Sequence, residues 1–150
     1  MSWFLLLKTL HVLSAITAVG ANLTYGVWSA LGKRDPAHLG FTLRGIKFVD
    51  DRLANPAYGV LLATGLIMTF RTYRIGLTWI LIGLVAYVVL ATVAAAGFTP
   101  TLRRQIAALD AGGPSSQAYR SAEARARGIG IFLGALVIAV VVVMVFKPQL

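Results

Sequence analysis

His11 is the one residue of this chain placed to ligate a cofactor from within a hydrophobic run. Neutral imidazole is a common ligand for haem iron and copper, and Lys8 lies one helical turn away on the same side. The other histidine, His38, sits in a charged connecting segment, so one chain offers no second imidazole for a bis-histidine site. A histidine between membrane helices is also satisfied by a neighbouring hydroxyl or carbonyl, and that reading carries more weight here. Haem b or copper held by His11 and Lys8 is therefore the lesser expectation, and no bound cofactor the greater. Asp50, Asp51 and Arg52 could do acid–base or metal work. An ion-paired helix start explains them more simply, because acidic groups are favoured near a helix N-terminus. Glu123 is the only glutamate and stands among arginines, where a solvated ion pair is expected. Cysteine is absent, which removes thiolate sites, thiol nucleophiles and disulfides. With no nucleophile–base–acid set, phosphate loop or metal-ligand spacing, no catalytic residue is assigned and the chain reads as a non-enzyme.

His11 belongs to a polar stripe. At about 100° per residue, Lys8, His11, Ser14, Ala15, Ala18, Asn22, Tyr25 and Ser29 share one side of a helix. Leu6, Leu10, Leu13, Ile16, Leu23 and Val27 fall mostly on the other. A polar group left unpaired in hydrocarbon is costly, so the stripe must face protein or a water-filled cavity. Ser14, Asn22, Tyr25 and Ser29 are read as an interhelical polar face. Asn22 lies about 16 Å along the axis from His11, too far for the two to share one small site. Lys8 is read as a snorkelling residue that carries its ammonium to the headgroups.

The elements that position these residues are membrane spans. Hydrophobic residues make up 58% of the 150-residue chain and charged residues 13%, too little polar surface to cover a soluble core. A span takes about 20 apolar residues. Four stretches meet or approach that length: residues 3–31, 53–72, 77–98 and 128–146. The first is too long for a signal peptide and reads as a retained helix. The fold class is all-α, an integral membrane four-helix bundle, with 1–150 as a single membrane domain. Leu39, Leu43, Ile46 and Leu53 recur at helical spacing between the first two spans. They predict an amphipathic helix, either on the membrane surface or running into the second span with Pro56 at a kink. Residues 71–76 form a tight connection, which makes the second and third helices antiparallel neighbours. A break at 110–116 divides the last polar segment, and 101–109 and 117–127 extend the third and fourth helices. Gly59 with Ala63, and Gly130 with Gly134, are small-residue pairs suited to close helix packing. Trp3, Trp28 and Trp79 stand near span ends as interface anchors.

Charge sets the orientation. The formal net charge is +9, yet no basic stripe is interleaved with stacking aromatics, so nucleic acid is excluded as a partner. Ten basic residues flank one end of the spans: Lys33, Arg34, Arg44, Lys47, Arg52, Arg103, Arg104, Arg120, Arg125 and Arg127. Four belong to the other, namely Lys8, Arg71, Arg74 and Lys147. The positive-inside rule puts the two longer connections in the cytoplasm and both termini on the extracytoplasmic side.

The opening Leu6-Leu7-Lys8-Thr9-Leu10-His11-Val12-Leu13 is followed by Gly20, Asn22, Thr24, Gly26 and Trp28. Later come Thr42-Leu43-Arg44-Gly45-Ile46, Asp51-Arg52 before Pro56 and Gly59, and Met144-Val145-Phe146-Lys147-Pro148. This pattern resembles the bacterial membrane-protein family known as domain of unknown function twenty-two sixty-nine. The resemblance implies a multi-pass four-helix fold in the bacterial cytoplasmic (inner) membrane. Its Lys–x–x–His opening is similar to those of copper-resistance protein D and haem-dependent protoporphyrinogen oxidase, which would map a ligand onto His11 and a supporting role onto Lys8.

The leading expectation is an accessory or structural subunit that packs through its first helix in a larger membrane complex or a homo-oligomer. A haem- or copper-binding redox protein using His11 is the alternative. A small transporter or lipid-handling protein is the third, and it would need a cavity lined by Asn22, Tyr25 and Ser29. In all three the lipid bilayer is a partner.

Overall fold

A computed structural model describes residues 3–71 and 77–148. Four long helices account for nearly all of it: α1 Trp3–Arg34, α2 Leu39–Arg71, α3 Thr78–Gly112 and α4 Gln117–Phe146. Each is long and apolar enough to cross a membrane. At 1.5 Å per residue the 32 residues of α1 reach about 48 Å and the 35 of α3 about 52 Å. Both exceed a hydrocarbon core of about 30 Å, so the helices project from it.

The helix ends follow local chemistry. Pro36 stops α1, because the residue before a proline is pushed out of the helical region. The chain turns through Asp35–His38 and re-enters a helix at Leu39. At the far end of α3, Gly113 adopts φ 71°, and Ser116 caps α4 by accepting from the Tyr119 amide at 3.2 Å. Lys147, with φ 48°, ends α4 one residue before Pro148.

Two wide π-helical turns interrupt the long helices, Asp50–Ala54 in α2 and Ala94–Phe98 in α3. Each ends two residues before a proline, Pro56 and Pro100. A proline inside a helix gives no N–H to the carbonyl four residues back, and its ring crowds that carbonyl. A widened turn just upstream accommodates both effects.

These turns divide the bundle into two levels. At the basic end, Leu39–Val49 of α2 packs on α1 and on Thr99–Gly112 of α3. Its buried Leu39, Leu43 and Ile46 join Leu102 and Tyr119 in one apolar cluster. This corrects the surface-helix expectation: the apolar stripe is consumed inside the bundle, and the segment runs straight into the second span. Phe41 and Phe48 lie on its outer side, exposed. Beyond the prolines, Asn55–Arg71 stays on α1 and Thr78–Val93 on α4, while these two segments meet chiefly through Tyr58 and Tyr87. The antiparallel neighbours expected from the short connection thus pack less closely on each other than on α1 and α4. Most of that connection, 72–76, lies outside the described residues.

Close approaches occur at glycines other than the two expected pairs. A Cβ on Gly83 would fall 2.0 Å from Met144 Cε of α4, and one on Gly65 3.1 Å from His11 Cε1. Gly32 faces Thr42 at 3.1 Å. Of the expected pairs, Gly130 meets Phe98 of α3 at 4.0 Å, while Gly59 and Gly134 have nothing within 4 Å. The outer faces are apolar, with Leu6, Leu13, Ile16 and Val27 exposed on α1 and Ile131, Ile138, Val142 and Val145 on α4. Lipid is the solvent that suits them.

Candidate functional site

The stripe on α1 turns inward and meets α2. His11 Nδ1 lies 2.9 Å from Thr64 Oγ1, and Thr64 donates its own hydroxyl hydrogen to the Val60 carbonyl at 2.7 Å. With that hydrogen committed, Nδ1–H is the donor to Thr64, and Nε2 is the nitrogen that keeps a lone pair. The ring rests on the bare Cα of Gly65. Lys8, one turn away, is exposed. Ser14, Ala18, Ala21 and Tyr25 are buried along the same side. Ser29 is half-buried.

Deeper in the bundle, Asn22 Nδ2 donates to Tyr58 Oη at 2.6 Å and to the Ala18 carbonyl at 3.0 Å. Tyr87 of α3 donates its hydroxyl to the Tyr58 carbonyl at 3.0 Å. The two tyrosine rings meet edge to face with centroids 6.4 Å apart. Tyr58 therefore joins α1, α2 and α3 at one point. Tyr25 stacks on Phe98 at a centroid distance of 6.0 Å, and its hydroxyl lies 3.5 Å from Asp50 Oδ1. Thr99 Oγ1 reaches Asp50 Oδ2, also at 3.5 Å. The two widened turns thus face each other across a buried carboxylate.

At the level of these turns a cleft of about 540 Å³ opens between α2 and α3. Asp51, Asn55, Tyr58 and Gly59 line it from α2; Tyr87, Leu90, Ala91, Ala94, Ala95, Thr99, Pro100 and Arg103 line it from α3. Asp51 and Arg103 sit at the basic end and the small apolar residues lie deeper, so the lining grades from charged to apolar along its length.

Several expectations change here. Asn22, Tyr25 and Ser29 do not line the cleft; the first two brace its walls from behind. Asp50 and Asp51 do not start a helix, because α2 begins at Leu39. Their roles divide: Asp51 is ion-paired with Lys47, and Asp50 is buried with hydroxyl partners instead. Trp79 is buried, with Lys147 Nζ 5.5 Å from its ring centroid, whereas Trp3 and Trp28 are exposed. Glu123 pairs with Lys33 of α1 and lies 3.9 Å from Arg127. His38 contacts Asp35 at 2.7 Å, which holds the exposed Asp35 carboxyl below its ordinary value. Tyr58, Tyr87 and Thr99 were missed from sequence. The available signal was the pair of prolines, Pro56 and Pro100, each set inside an otherwise helical stretch.

For a metal or haem the donor set is thin. No cluster of three or more His, Asp or Glu side chains occurs among the described residues. His38 follows the far end of α1, about 35 Å along the axis from His11. What the residues fit is a single imidazole ligand.

A family profile described as "Predicted integral membrane protein (DUF2269)" covers residues 5–148. No curated protein and no solved structure matches the chain.

Proposed function

The chain belongs to the DUF2269 family of predicted integral membrane proteins, and from that premise we propose that it is a non-catalytic protein that binds an amphipathic molecule in the cleft between α2 and α3. One observation carries the reading. The cleft lies at the two widened turns beside Pro56 and Pro100, and its lining changes from charged to apolar over a few helical turns. Pockets of roughly 300–1,000 Å³ with a few convergent polar groups are the usual form of small-molecule sites. The accessory-subunit reading draws no argument from the polar stripe of α1, because His11, Asn22 and Tyr25 find their partners within the chain.

The absence of native cysteine makes a clean test available. A bimane on Ala95→Cys reports the cleft wall, and a spin-labelled amphiphile that enters should quench it. Gly59 lines the cleft and a Cβ there meets nothing within 4 Å, so Gly59→Phe adds bulk at that wall. Saturable quenching that this change removes supports the function. Quenching that is linear in amphiphile and blind to Gly59→Phe rejects it.

A second reading keeps His11 as a ligand to haem or copper. It is favoured by the Thr64 anchor, since a hydrogen bond at Nδ1 fixes the ring and leaves Nε2 basic, as in many metal sites. When bound, such a group would supply one-electron chemistry. A Soret band or stoichiometric copper in purified protein, lost in His11→Ala, would establish this reading. Colourless, metal-free protein would retire it.

A further inference from the structure

The lining of the cleft allows a more specific assignment, which rests on the binding role just proposed. We infer that the occupant is a membrane phospholipid whose headgroup carries both a phosphate and a primary ammonium, of the phosphatidylethanolamine type. The argument begins with charge. Arg103 forms no ion pair among the described residues, like Arg34, Arg52, Arg104 and Arg125, but of these it alone lines the cleft. An unpaired guanidinium at the headgroup level suits a phosphate, which it can bind through two parallel N–H donors. Asp51, on the α2 wall, gives Oδ2 to Lys47 and leaves Oδ1 without a protein partner among the described residues. A carboxylate oxygen at the mouth of a lipid-facing cleft repels a purely anionic headgroup and attracts an ammonium. A quaternary ammonium has no N–H to donate to it, whereas a primary one donates up to three hydrogen bonds.

The depth of the cleft supplies the rest. Asn55 lines it between the charged mouth and the tyrosines, a donor and acceptor at the level of a glycerol ester. Beyond lie Gly59, Leu90 and Ala91, small or apolar, where an acyl chain fits. Asp51 to Gly59 is eight residues, about 12 Å of rise. Apart from the Tyr58–Tyr87 bridge, Asn55–Arg71 and Thr78–Val93 pack on other helices rather than on each other, which leaves the occupant a route from the bilayer.

The test is lipid retention by the full chain, purified in detergent and equilibrated with equimolar phosphatidylethanolamine, phosphatidylglycerol and phosphatidylcholine, then read by native mass spectrometry. Wild type should keep phosphatidylethanolamine roughly tenfold over the other two, the effect of one charge-assisted contact. Arg103→Gln should lower retention of all three. Asp51→Asn should remove the preference while leaving phosphatidylglycerol as well held or better. Both positions are exposed, so neither change threatens the fold. Gly59→Phe separates the two levels of the argument. If it lowers retention but wild type does not discriminate among the lipids, the headgroup assignment is wrong and the cleft stands. If it changes nothing, both fall. Free phosphoethanolamine that displaced the lipid at equal concentration would make the occupant a soluble solute and overturn the lipid assignment.

Discussion

At the scale of single residues, His11 shows how far type and spacing carry an argument. Its place on an inward polar stripe was legible, because desolvation obliges a polar side chain in a span to find a partner. The identity of that partner was not, since Thr64 is fifty-three residues away and nothing local marks it. Removing the contact should cost roughly 0.6–2 kcal/mol, the range for interhelical hydrogen bonds in membranes. His11→Ala and Thr64→Val should therefore each destabilise modestly and be sub-additive together when unfolding is followed in mixed micelles. Full additivity would mean that the two side chains do not interact. Asp50 teaches the opposite lesson. Two adjacent aspartates look like one motif, yet a wide turn sends Asp50 inward to Tyr25 and Thr99 and leaves Asp51 outward beside Lys47. Asp51→Asn should accordingly leave thermal stability nearly unchanged, because an exposed pair contributes about 0–1 kcal/mol.

At the scale of elements, hydropathy located the four spans but could not tell how they pair. Length and apolarity follow from composition over twenty residues, whereas pairing depends on which small residue meets which side chain. Gly83 is an instance. Its bare Cα receives Met144 of α4, and a lone glycine in a run of Leu, Ile and Val gave no sign of that. Gly83→Ala should be tolerated as the flexible methionine end swings aside. Gly83→Leu should destabilise by about 1–3 kcal/mol through overpacking, and Met144→Ala should recover part of it. Unfolding midpoints of the single and double variants check this; no recovery would move the clash elsewhere. Pro56 was legible as a kink, but its counterpart Pro100 was not recognised, and each stands beside one of the widened turns that line the cleft. Spin labels at Gly59→Cys and Ala91→Cys should move closer when Pro56 and Pro100 are both replaced by alanine. An unchanged distance would show that side-chain packing, not proline, holds the helices apart.

At the scale of the whole molecule, an apolar belt encloses an apolar core threaded by a few hydrogen-bonded polar groups, with ten basic residues gathered at one end. That asymmetry predicts that reporters fused within 112–116 are cytoplasmic and those after Lys147 are on the opposite side. The reverse pattern would mean that the positive-inside rule fails for this chain. The belt itself is not uniform, because one gap in it is lined with Asn, Tyr, Asp and Arg. That gap is the central claim, and photocrosslinking in the native membrane tests it most directly. Cells grown on a diazirine fatty acid carry the probe in all their lipids, and crosslinked peptides from the irradiated protein show where chains reside. Specific occupancy of the cleft predicts that adducts concentrate on 55–59 and 87–95, well above the exposed apolar face at Val141, Val142 and Val145, and that Gly59→Phe abolishes the excess. Adducts spread evenly over both regions, unchanged by Gly59→Phe, would contradict it.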